Sequence, residues 1–236
     1  MGRQPQLPPP RAVREGRHGP GRHLRRPAAA RPGCRGTGWD ASVLGPPPSL
    51  AERTRRFAEF TELLDALLTQ PVTEHTGEFY AAHGARMIPG CVQRPRVPFV
   101  MAANGPRAMR LAARHGQAWV TFGPSLPDDA VDGVAPAVAQ DRWWDGLAVM
   151  VERFRVEAAA AGRDPDAIER HLSLDGAPVF SLSSWDVLQE GVERAVALGF
   201  TDVVVHWPRA EGIYAGSEAL LERVAAELPA LRTVGR

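Results

Sequence analysis

The chain has 236 residues, 44% of them apolar, and a formal net charge of +1 at pH 7. This length is enough for one domain with a sizeable core, and the balanced charge excludes a general attraction to nucleic acid or membranes. Cys34 and Cys91 are too few for a disulfide framework or a cysteine metal site. No apolar run reaches the roughly 18 residues of a membrane span, and the N-terminus lacks the apolar core of a signal peptide. We therefore expect a cytoplasmic protein.

Residues 1–36 differ in composition from the rest of the chain. They contain nine Arg, seven Pro and six Gly but one acidic residue, Glu15, so they carry a charge of +8 and the remainder carries −7. With almost no large apolar side chains, this segment cannot offset its ordering entropy by burial, and we predict that it is disordered.

Three interpretations of this segment are open: a basic tail that binds nucleic acid or phosphate, unstructured filler, and a GC-rich gene translated in a wrong frame or from a wrong start. The abrupt change of composition at residues 36–40 favours the third. We hypothesise that residues 1–36 are not native to the fold, that residues 37–236 form the folded domain, and that the true N-terminal part of the protein is absent.

Beyond a predicted loop at 36–48, the first predicted helix begins with Ser49 and Glu52, a capping box in which the Ser side chain accepts a bond from a helix N–H. Apolar residues then recur at helical spacing as far as Leu68. Residues 70–96 have little periodicity and are rich in Gly, Pro and His, so we predict an irregular excursion. Strand and helix then alternate four times. The predicted strands are 97–103, 118–122, 171–180 and 200–207, and the predicted helices are 106–115, 141–161, 185–198 and 217–228.

This order predicts an α/β fold with a parallel sheet covered by helices, and both a doubly wound sheet and a barrel fit it. The strands end in residues with chemical groups, among them Asn104, Thr121, Ser181 and His206. Because (β/α)8 barrels build their sites on the carboxyl ends of the strands, we favour a barrel. A full barrel takes roughly 250 residues. We therefore predict an incomplete TIM barrel, its C-terminal half, with strands 4 or 5 to 8.

The most informative junction is the run PFVMAANGPRA at residues 98–108. An apolar strand stops there at Asn104-Gly105, and a helix starts at Pro106, which fits the first helical position. A helix N-terminus attracts anions through its unpaired N–H groups and partial positive charge, and Gly105 allows a ligand close to the backbone. The junction predicts a phosphate site, although a helix start without a ligand has the same sequence features.

Other candidate residues each have a structural alternative. Arg107 and Arg110 could add charge for phosphate or be ordinary surface residues, and the second interpretation is favoured for Arg110. Trp39 could stack near a flat ring or close a loop, and Thr121 could line a pocket or end a strand. His206, after a Val-rich strand, is a weak candidate for acid–base chemistry, because histidine changes charge near neutral pH. The alternative for His206 is a structural role at a strand end.

The sequence gives little support for metal or nucleotide motifs. His75 and His83 lie in the irregular excursion beside Glu74 and Glu78, but this loop spacing is poor evidence for convergent ligands, and we predict no metal site. No G-x-S-x-G motif, P-loop or Rossmann glycine motif occurs in a strand–helix context.

Several short stretches together resemble the luciferase-like (bacterial luciferase superfamily) oxidoreductases, especially their coenzyme F420-dependent branch. They occur in the family's order between residue 36 and residue 205. The matching stretches are GTGWD (36–40), HTGEFY (75–80), VQRPRVP (92–98), AANGP (102–106), RLAARHG (110–116), AAGRDP (160–165) and GFTDVVV (199–205).

The resemblance implies a TIM barrel with an insertion that passes a hydride between a flavin-type cofactor and an organic substrate. Coenzyme F420 is the implied cofactor, and FMN in a luciferase-like monooxygenase is the alternative. The family's first three strands have no counterpart here, so the proton-transfer residue stays unknown, with His206 as the weak candidate. The predicted cofactor-binding residues are Ala102, Ala103, Asn104, Gly105, Pro106, Arg107, Gly38, Trp39 and Thr121.

An alternative of another class is a non-catalytic half-barrel remnant, whose open sheet edges would aggregate or pair with another chain. A weaker one is a module that binds anionic ligands with the basic N-terminal segment. We expect a small-molecule substrate as partner and leave a homodimer as an option. We expect no nucleic-acid or membrane partner.

Overall fold

The computed structural model of the protein describes residues 45–46, 48–231 and 233–234. The segment 1–36 and the predicted site residues Gly38 and Trp39 lie outside the described residues. The remaining predicted site residues all fall within them.

The described part of the chain contains helices and strands that alternate as the sequence predicts, with a β-hairpin inserted after the first helix. In chain order they are α1 (Leu50–Thr69), β1 (Thr73–Thr76), β2 (Ala81–Ala85), β3 (Val100–Ala102), α2 (Pro106–His115), β4 (Ala118–Thr121), α3 (Pro136–Ala160), β5 (Glu169–Ser173), α4 (Trp185–Ala197), β6 (Asp202–Val204) and α5 (Glu218–Leu231).

Four strands form one parallel sheet in the order β3–β4–β5–β6, and a helix connects each strand to the next. Val100 pairs with Ala118, and Ala118 pairs in turn with Glu169. The predicted fold class is confirmed: the chain is α/β with a parallel sheet, and the four parallel strands found within the described residues are half of the eight in a (β/α)8 barrel.

The two faces of the sheet differ in burial because side chains alternate along each strand. Met101, Trp119 and Leu172 point to the helix-covered face and are 5% exposed or less. The opposite face, called the inner face below, leaves Val100 54% exposed and Val204 47% exposed.

The centre of the core is aromatic. The rings of Trp119 and Phe154 are stacked with their centroids 4.5 Å apart, and both side chains are fully buried. Trp143 and Trp144, which begin the apolar part of α3, are also buried against this core. Stacked aromatic pairs bury large areas, so this cluster fixes α3 to the sheet.

Helix α1 begins as the capping box predicts. The Ser49 side chain accepts a hydrogen bond from the N–H of Glu52 at 3.2 Å. Such a cap satisfies one of the N–H groups that the first turn of a helix leaves unpaired. The helix ends at Thr69, one residue beyond the predicted end at Leu68.

The predicted irregular excursion at 70–96 is wrong in part, because residues 73–85 form the antiparallel hairpin of β1 and β2. Its turn is fixed from outside by α1. The Glu59 carboxylate accepts hydrogen bonds from the N–H groups of Phe79 and Tyr80 at 2.8–3.2 Å and contacts His75 Nε2 at 3.2 Å. A contact between a distant helix residue and a turn leaves no periodic signal in the sequence.

The predicted strand 171–180 is also too long. Strand β5 ends at Ser173, and a short 3-10 turn at Leu174–Gly176 follows it. Gly176 sits so close to the carbonyl of Phe122 that a Cβ atom there would overlap it, which fixes the turn at this point. The loop beyond is tied by Asp175, whose carboxylate accepts the N–H of Ser181 at 2.9 Å.

Helix α3 starts at Pro136, five residues before the predicted start at Asp141. Proline is favoured at the first position of a helix because the N–H it lacks would be unpaired there.

No helix within the described ranges combines the length and the hydropathy needed to cross a membrane.

Candidate cofactor-binding site

The junction between β3 and α2 has the geometry of an anion site. Pro106 occupies the first helical position, and Gly105 is the cap, with φ −100° and ψ 158° and no side-chain bond to the first turn. The first helical hydrogen bond runs from the N–H of Met109 to the carbonyl of Gly105 at 2.9 Å. The N–H groups of Arg107 and Ala108 therefore have no acceptor inside the helix, and the positive end of the helix dipole coincides with them.

The space at Gly105 is open. A Cβ atom built on Gly105 would meet no other atom within 4 Å, and its φ is negative. Neither the fold nor the backbone conformation therefore requires glycine at this position. A small residue here does leave the helix N-terminus accessible to a ligand.

Three residues tie the ends of β3 and β4 together beneath this junction. Thr121 Oγ1 donates to Asn104 Oδ1 at 2.8 Å and accepts the N–H of Gly123 at 3.0 Å. Asn104 Nδ2 donates to the carbonyl of Gly123 at 3.1 Å. Thr121 is 1% exposed. This network fixes the loop that leads into α2.

Ala103, just before Asn104, is anchored in the core. Its N–H donates to the carbonyl of Val120 at 3.2 Å, and its carbonyl accepts the indole N–H of Trp119 at 2.7 Å. The polar groups of Ala103 and Thr121 are thus used within the chain. Contact of either residue with a cofactor stays a prediction, and the structure shows both of them holding the junction in place.

Gly123 closes the loop after β4 in a conformation that favours glycine, with φ +76°. A Cβ atom there would overlap the ring of Trp143. The indole N–H of Trp143 is buried and has no hydrogen-bond partner among the described residues. Gly123 is therefore required by packing as well as by its backbone angle.

The two arginines near the junction have different environments. Arg107 is exposed and lines a cleft of about 250 Å³ between α2 and α1, together with Ala108 and Arg55. Arg55 is held by Glu78 at 2.8 Å. Arg110 pairs with Glu157 at 3.1 Å, which agrees with its interpretation as an ordinary surface residue.

His206 lies just after β6, at the same carboxyl edge of the sheet as Asn104 and Thr121. Its Nδ1 is 3.0 Å from Asp175 Oδ2, and the same oxygen accepts the N–H of His206. The ring of His206 is stacked on that of Tyr214, with centroids 4.4 Å apart. Asp175 is not among the predicted site residues, because the over-long predicted strand placed it in mid-strand.

A second cluster that the sequence analysis missed joins β5 and β6 near the start of these strands. His171 Nε2 lies 3.5 Å from Glu169 and 3.4 Å from Asp202. Their ligand atoms all lie within 4.8 Å of one another. The two carboxylates are exposed, whereas His171 Nε2 is buried and has no hydrogen-bond partner among the described residues, and exposed acidic groups are common without a metal ion. The absence of a metal site stays a prediction.

A parallel sheet whose strands are connected by helices, with an open helix N-terminus at its carboxyl edge, is the arrangement of an α/β protein and is consistent with part of a (β/α) barrel. The family profile described as "Luciferase-like monooxygenase" matches residues 35–196. The chain belongs to this family, as the resemblance in the sequence indicated.

Curated proteins with related sequences carry F420-dependent names. The F420-dependent glucose-6-phosphate dehydrogenase of Beutenbergia cavernae is 31% identical over 84% of this chain and 67% of its own length. That of Nocardia farcinica is 30% identical over 54% of this chain and 32% of its own length. The chain thus spans at most about two thirds of the length of these relatives.

Among solved structures, the coenzyme F420-dependent tetrahydromethanopterin reductase of Methanopyrus kandleri matches with a TM-score of 0.54. The identity is 15%, and the match covers 75% of this chain and 63% of that one. This likeness supports the barrel-type fold.

Proposed function

We propose that this chain binds coenzyme F420 through the N-terminus of α2 and takes part in hydride transfer between that cofactor and an organic substrate. The observation that carries the proposal is the open helix N-terminus at Gly105, held at the carboxyl edge of the parallel sheet. The F420-dependent names of the curated relatives support the choice of cofactor.

The groups present fit the phosphate-bearing part of such a cofactor. The N–H groups of Arg107 and Ala108 are donors without helical acceptors, and the exposed guanidinium of Arg107 adds a positive charge beside them. Donors of this kind at a helix N-terminus suit a phosphate oxygen. The bonds among Asn104, Thr121 and Gly123 hold these donors in place before any ligand arrives.

When bound, the deazaflavin supplies the position that accepts or donates the hydride. The residues of this chain would bind its phosphate at α2 and orient the ring along the carboxyl edge of the sheet. FMN also carries a phosphate, and the family profile is that of luciferase-like monooxygenases. FMN is therefore the alternative ligand in the test below.

A non-catalytic half-barrel remnant is the second candidate, and the inner face of the sheet favours it. Val100 and Val204 are about half exposed on this face, and within the described residues β3 and β6 are both edge strands. Exposed apolar edges of this kind tend to pair with other chains. A remnant would therefore self-associate and bind neither cofactor.

The test is a fluorescence titration of the purified full chain with F420 and with FMN. Micromolar binding of F420 together with a cooperative melting transition supports the proposal. If the chain binds FMN but not F420, the cofactor of the proposed function is FMN. A chain that aggregates or binds neither ligand would support the remnant.

Substitution of Gly105 separates ligand binding from folding. Asp is a favourable cap residue, and the site has room for it, so Gly105→Asp should keep or raise the melting temperature. Its carboxylate would stand where the phosphate sits, so we expect F420 affinity to fall tenfold or more, which corresponds to about 1.4 kcal/mol.

Gly105→Asn, with the same shape and no charge, should lose much less affinity than Gly105→Asp. Gly90→Asp is the matched control, since it adds the same charge to an exposed loop with room for a side chain. Equal affinity of Gly105→Asp and the wild type would refute phosphate binding at α2.

A further inference from the structure

Three side chains that can act as metal ligands come together on the inner face, where β5 and β6 begin. Glu169 is the first residue of β5, and Asp202 is the first residue of β6. His171 lies two positions after Glu169, so the two side chains share a face of the sheet. His171 is also paired in register with Asp202. The parallel register therefore places one imidazole beside two carboxylates that are far apart in the chain.

The imidazole ring is close to both carboxylates but forms a hydrogen bond with neither. His171 Nε2 lies 3.5 Å from Glu169 Oε2 and 3.4 Å from Asp202 Oδ2. This nitrogen is buried and has no hydrogen-bond partner among the described residues. A hydrogen bond between a charged imidazole and a carboxylate is shorter, at about 2.7–2.9 Å. An ordinary ion pair therefore does not account for the position of the ring.

The separations of these atoms match those between the ligands of one metal ion. Tetrahedral zinc has Zn–N and Zn–O bonds of about 2.0–2.2 Å, which sets its ligand atoms roughly 3.3–3.6 Å apart. The ligand atoms of Glu169, His171 and Asp202 all lie within 4.8 Å of one another. Buried polar atoms are normally paired, and an unpaired one marks a place where an ion or water completes the bonds. A metal ion between the three side chains would complete the bonding of Nε2.

The cluster has an excess of negative charge, and one of its oxygens is already held in position. Within the described residues, His171 is the only basic side chain that is paired with either carboxylate. Thr201 Oγ1 donates to Asp202 Oδ2 at 2.8 Å and accepts the N–H of Arg170 at 3.1 Å. Carboxylate ligands of metal ions are commonly oriented by such outer hydrogen bonds. A divalent cation would also offset the repulsion between the two acidic groups.

We propose that Glu169, His171 and Asp202 bind a zinc ion through one imidazole nitrogen and two carboxylate oxygens. Zinc suits such a mixed set, whereas calcium and magnesium prefer oxygen ligands alone. The two carboxylates are 66% and 56% exposed, so an ion can enter from solvent. The sequence predicts no metal site, because the register that joins these three residues is not visible in it.

The zinc ion would fasten β6 to the rest of the sheet. This strand has three residues and is an edge strand of the described sheet, with β5 as its neighbour. An ion that binds only the folded chain raises its stability. The cluster lies at the amino edge of the sheet, opposite the carboxyl edge that carries the proposed cofactor site. Zinc binding and F420 binding should therefore be independent of each other.

The test is isothermal titration calorimetry of the EDTA-treated full chain with zinc chloride, together with melting curves. Zinc should raise the wild-type melting temperature, and magnesium at the same concentration should not. Glu169→Gln and Asp202→Asn change exposed carboxylates, so they should fold normally. Each should weaken zinc binding about tenfold or more, and Thr201→Val should weaken it about tenfold, as loss of an outer hydrogen bond does. His171→Gln should abolish binding of this ion.

His83→Gln is the matched control, because His83 is a 75% exposed histidine that lies 3.7 Å from a single carboxylate, that of Glu74. Its zinc affinity should equal that of the wild type. Cobalt(II) in place of zinc excludes binding by the two cysteines, because thiolate ligands add an intense ultraviolet charge-transfer band that this site should lack. Zinc binding that Glu169→Gln and His171→Gln leave unchanged would overturn the proposal, as would a wild-type chain that binds no zinc.

Discussion

At the scale of single residues, Glu59 shows how one carboxylate can fix an irregular segment. Its partial burial acts to raise its pKa, but the N–H of Tyr80, the side chain of His75 and the N–H of Phe79 outweigh that effect. The pKa of Glu59 therefore lies below its usual value of 4.5. The charged carboxylate is the form that holds the turn between β1 and β2, because only it accepts all these bonds.

Glu59 should therefore make folding stability depend on pH in the acid range. A pKa lowered by folding gives stability that is present above the ordinary value of 4.5 and is lost as the pH falls through the lower folded value. We expect wild type to be more stable than Glu59→Gln at neutral pH, with the difference closing between about pH 5 and pH 3.

Urea denaturation at a series of pH values measures this difference. Glu62→Gln changes an exposed residue of the same helix and is the control. Its difference in unfolding free energy from the wild type should not vary with pH in this way. A constant difference between wild type and Glu59→Gln across the range would show that the charge of Glu59 does not hold the hairpin.

At the scale of elements, the ends of β3 and β4 are joined by side chains as well as by the sheet. The Thr121 hydroxyl donates a hydrogen bond to Asn104 and accepts one from the N–H of Gly123. These two partners belong to the loops that follow β3 and β4. Removing its hydroxyl would leave both the N–H of Gly123 and Asn104 Oδ1 short of a partner. The geometry of the proposed phosphate site thus depends on Thr121, which is itself buried beneath it.

Thr121→Val tests this dependence because valine keeps the shape of threonine and lacks the hydroxyl. We expect the free energy of unfolding to fall by about 1–3 kcal/mol, the cost of leaving a buried donor unpaired. F420 affinity should fall as well. Thr76→Val, at an exposed position of β1, is the control and should change neither quantity. Unfolding in urea and the F420 titration measure the two effects.

The elements also show which parts of the fold can be predicted from the sequence. The helices and their order follow from apolar spacing, the Ser49 cap and the first-position proline of α2, which are local signals. The hairpin depends on contacts with Glu59 across about twenty residues, and the early end of β5 depends on the backbone of Phe122. Contacts between residues so far apart in the chain produce no local sequence pattern from which they could be predicted.

The same distinction applies to the site. The helix N-terminus at Gly105 is a local feature, and the sequence predicts it. The partnership of Asp175 with His206 joins residues 31 positions apart, on the ends of adjacent strands. It becomes visible only when the register of β5 and β6 is known.

At the scale of the whole molecule, the inner face of the sheet leaves apolar side chains exposed at both of its edges. Val100 and Val204, its half-exposed valines, are at the two edge strands, where unpaired backbone groups are also available. Self-association through these edges would hide both the backbone groups and the apolar side chains. The homodimer left as an option by the sequence stays a proposal that this surface supports.

The double variant Val100→Lys with Val204→Lys should reduce self-association, because charged side chains at sheet edges oppose pairing with another chain. We expect a larger monomeric fraction in light scattering coupled to gel filtration, with an unchanged melting temperature. Val149→Lys with Val156→Lys changes two equally exposed valines on the outer face of α3 and is the control. A double variant with the wild-type molar mass would exclude the inner face as the contact.

The bond from the Trp119 indole to the carbonyl of Ala103 has a consequence for the kinetics of ligand capture. Because Trp119 is stacked on Phe154 in the centre of the core, Ala103, which precedes the proposed phosphate site, is anchored to the core. Binding there would not include an ordering step for the backbone, so its entropic cost is that of the ligand, its water and the exposed Arg107 side chain. Capture of a phosphate should then be a single-step encounter whose rate rises linearly with ligand concentration.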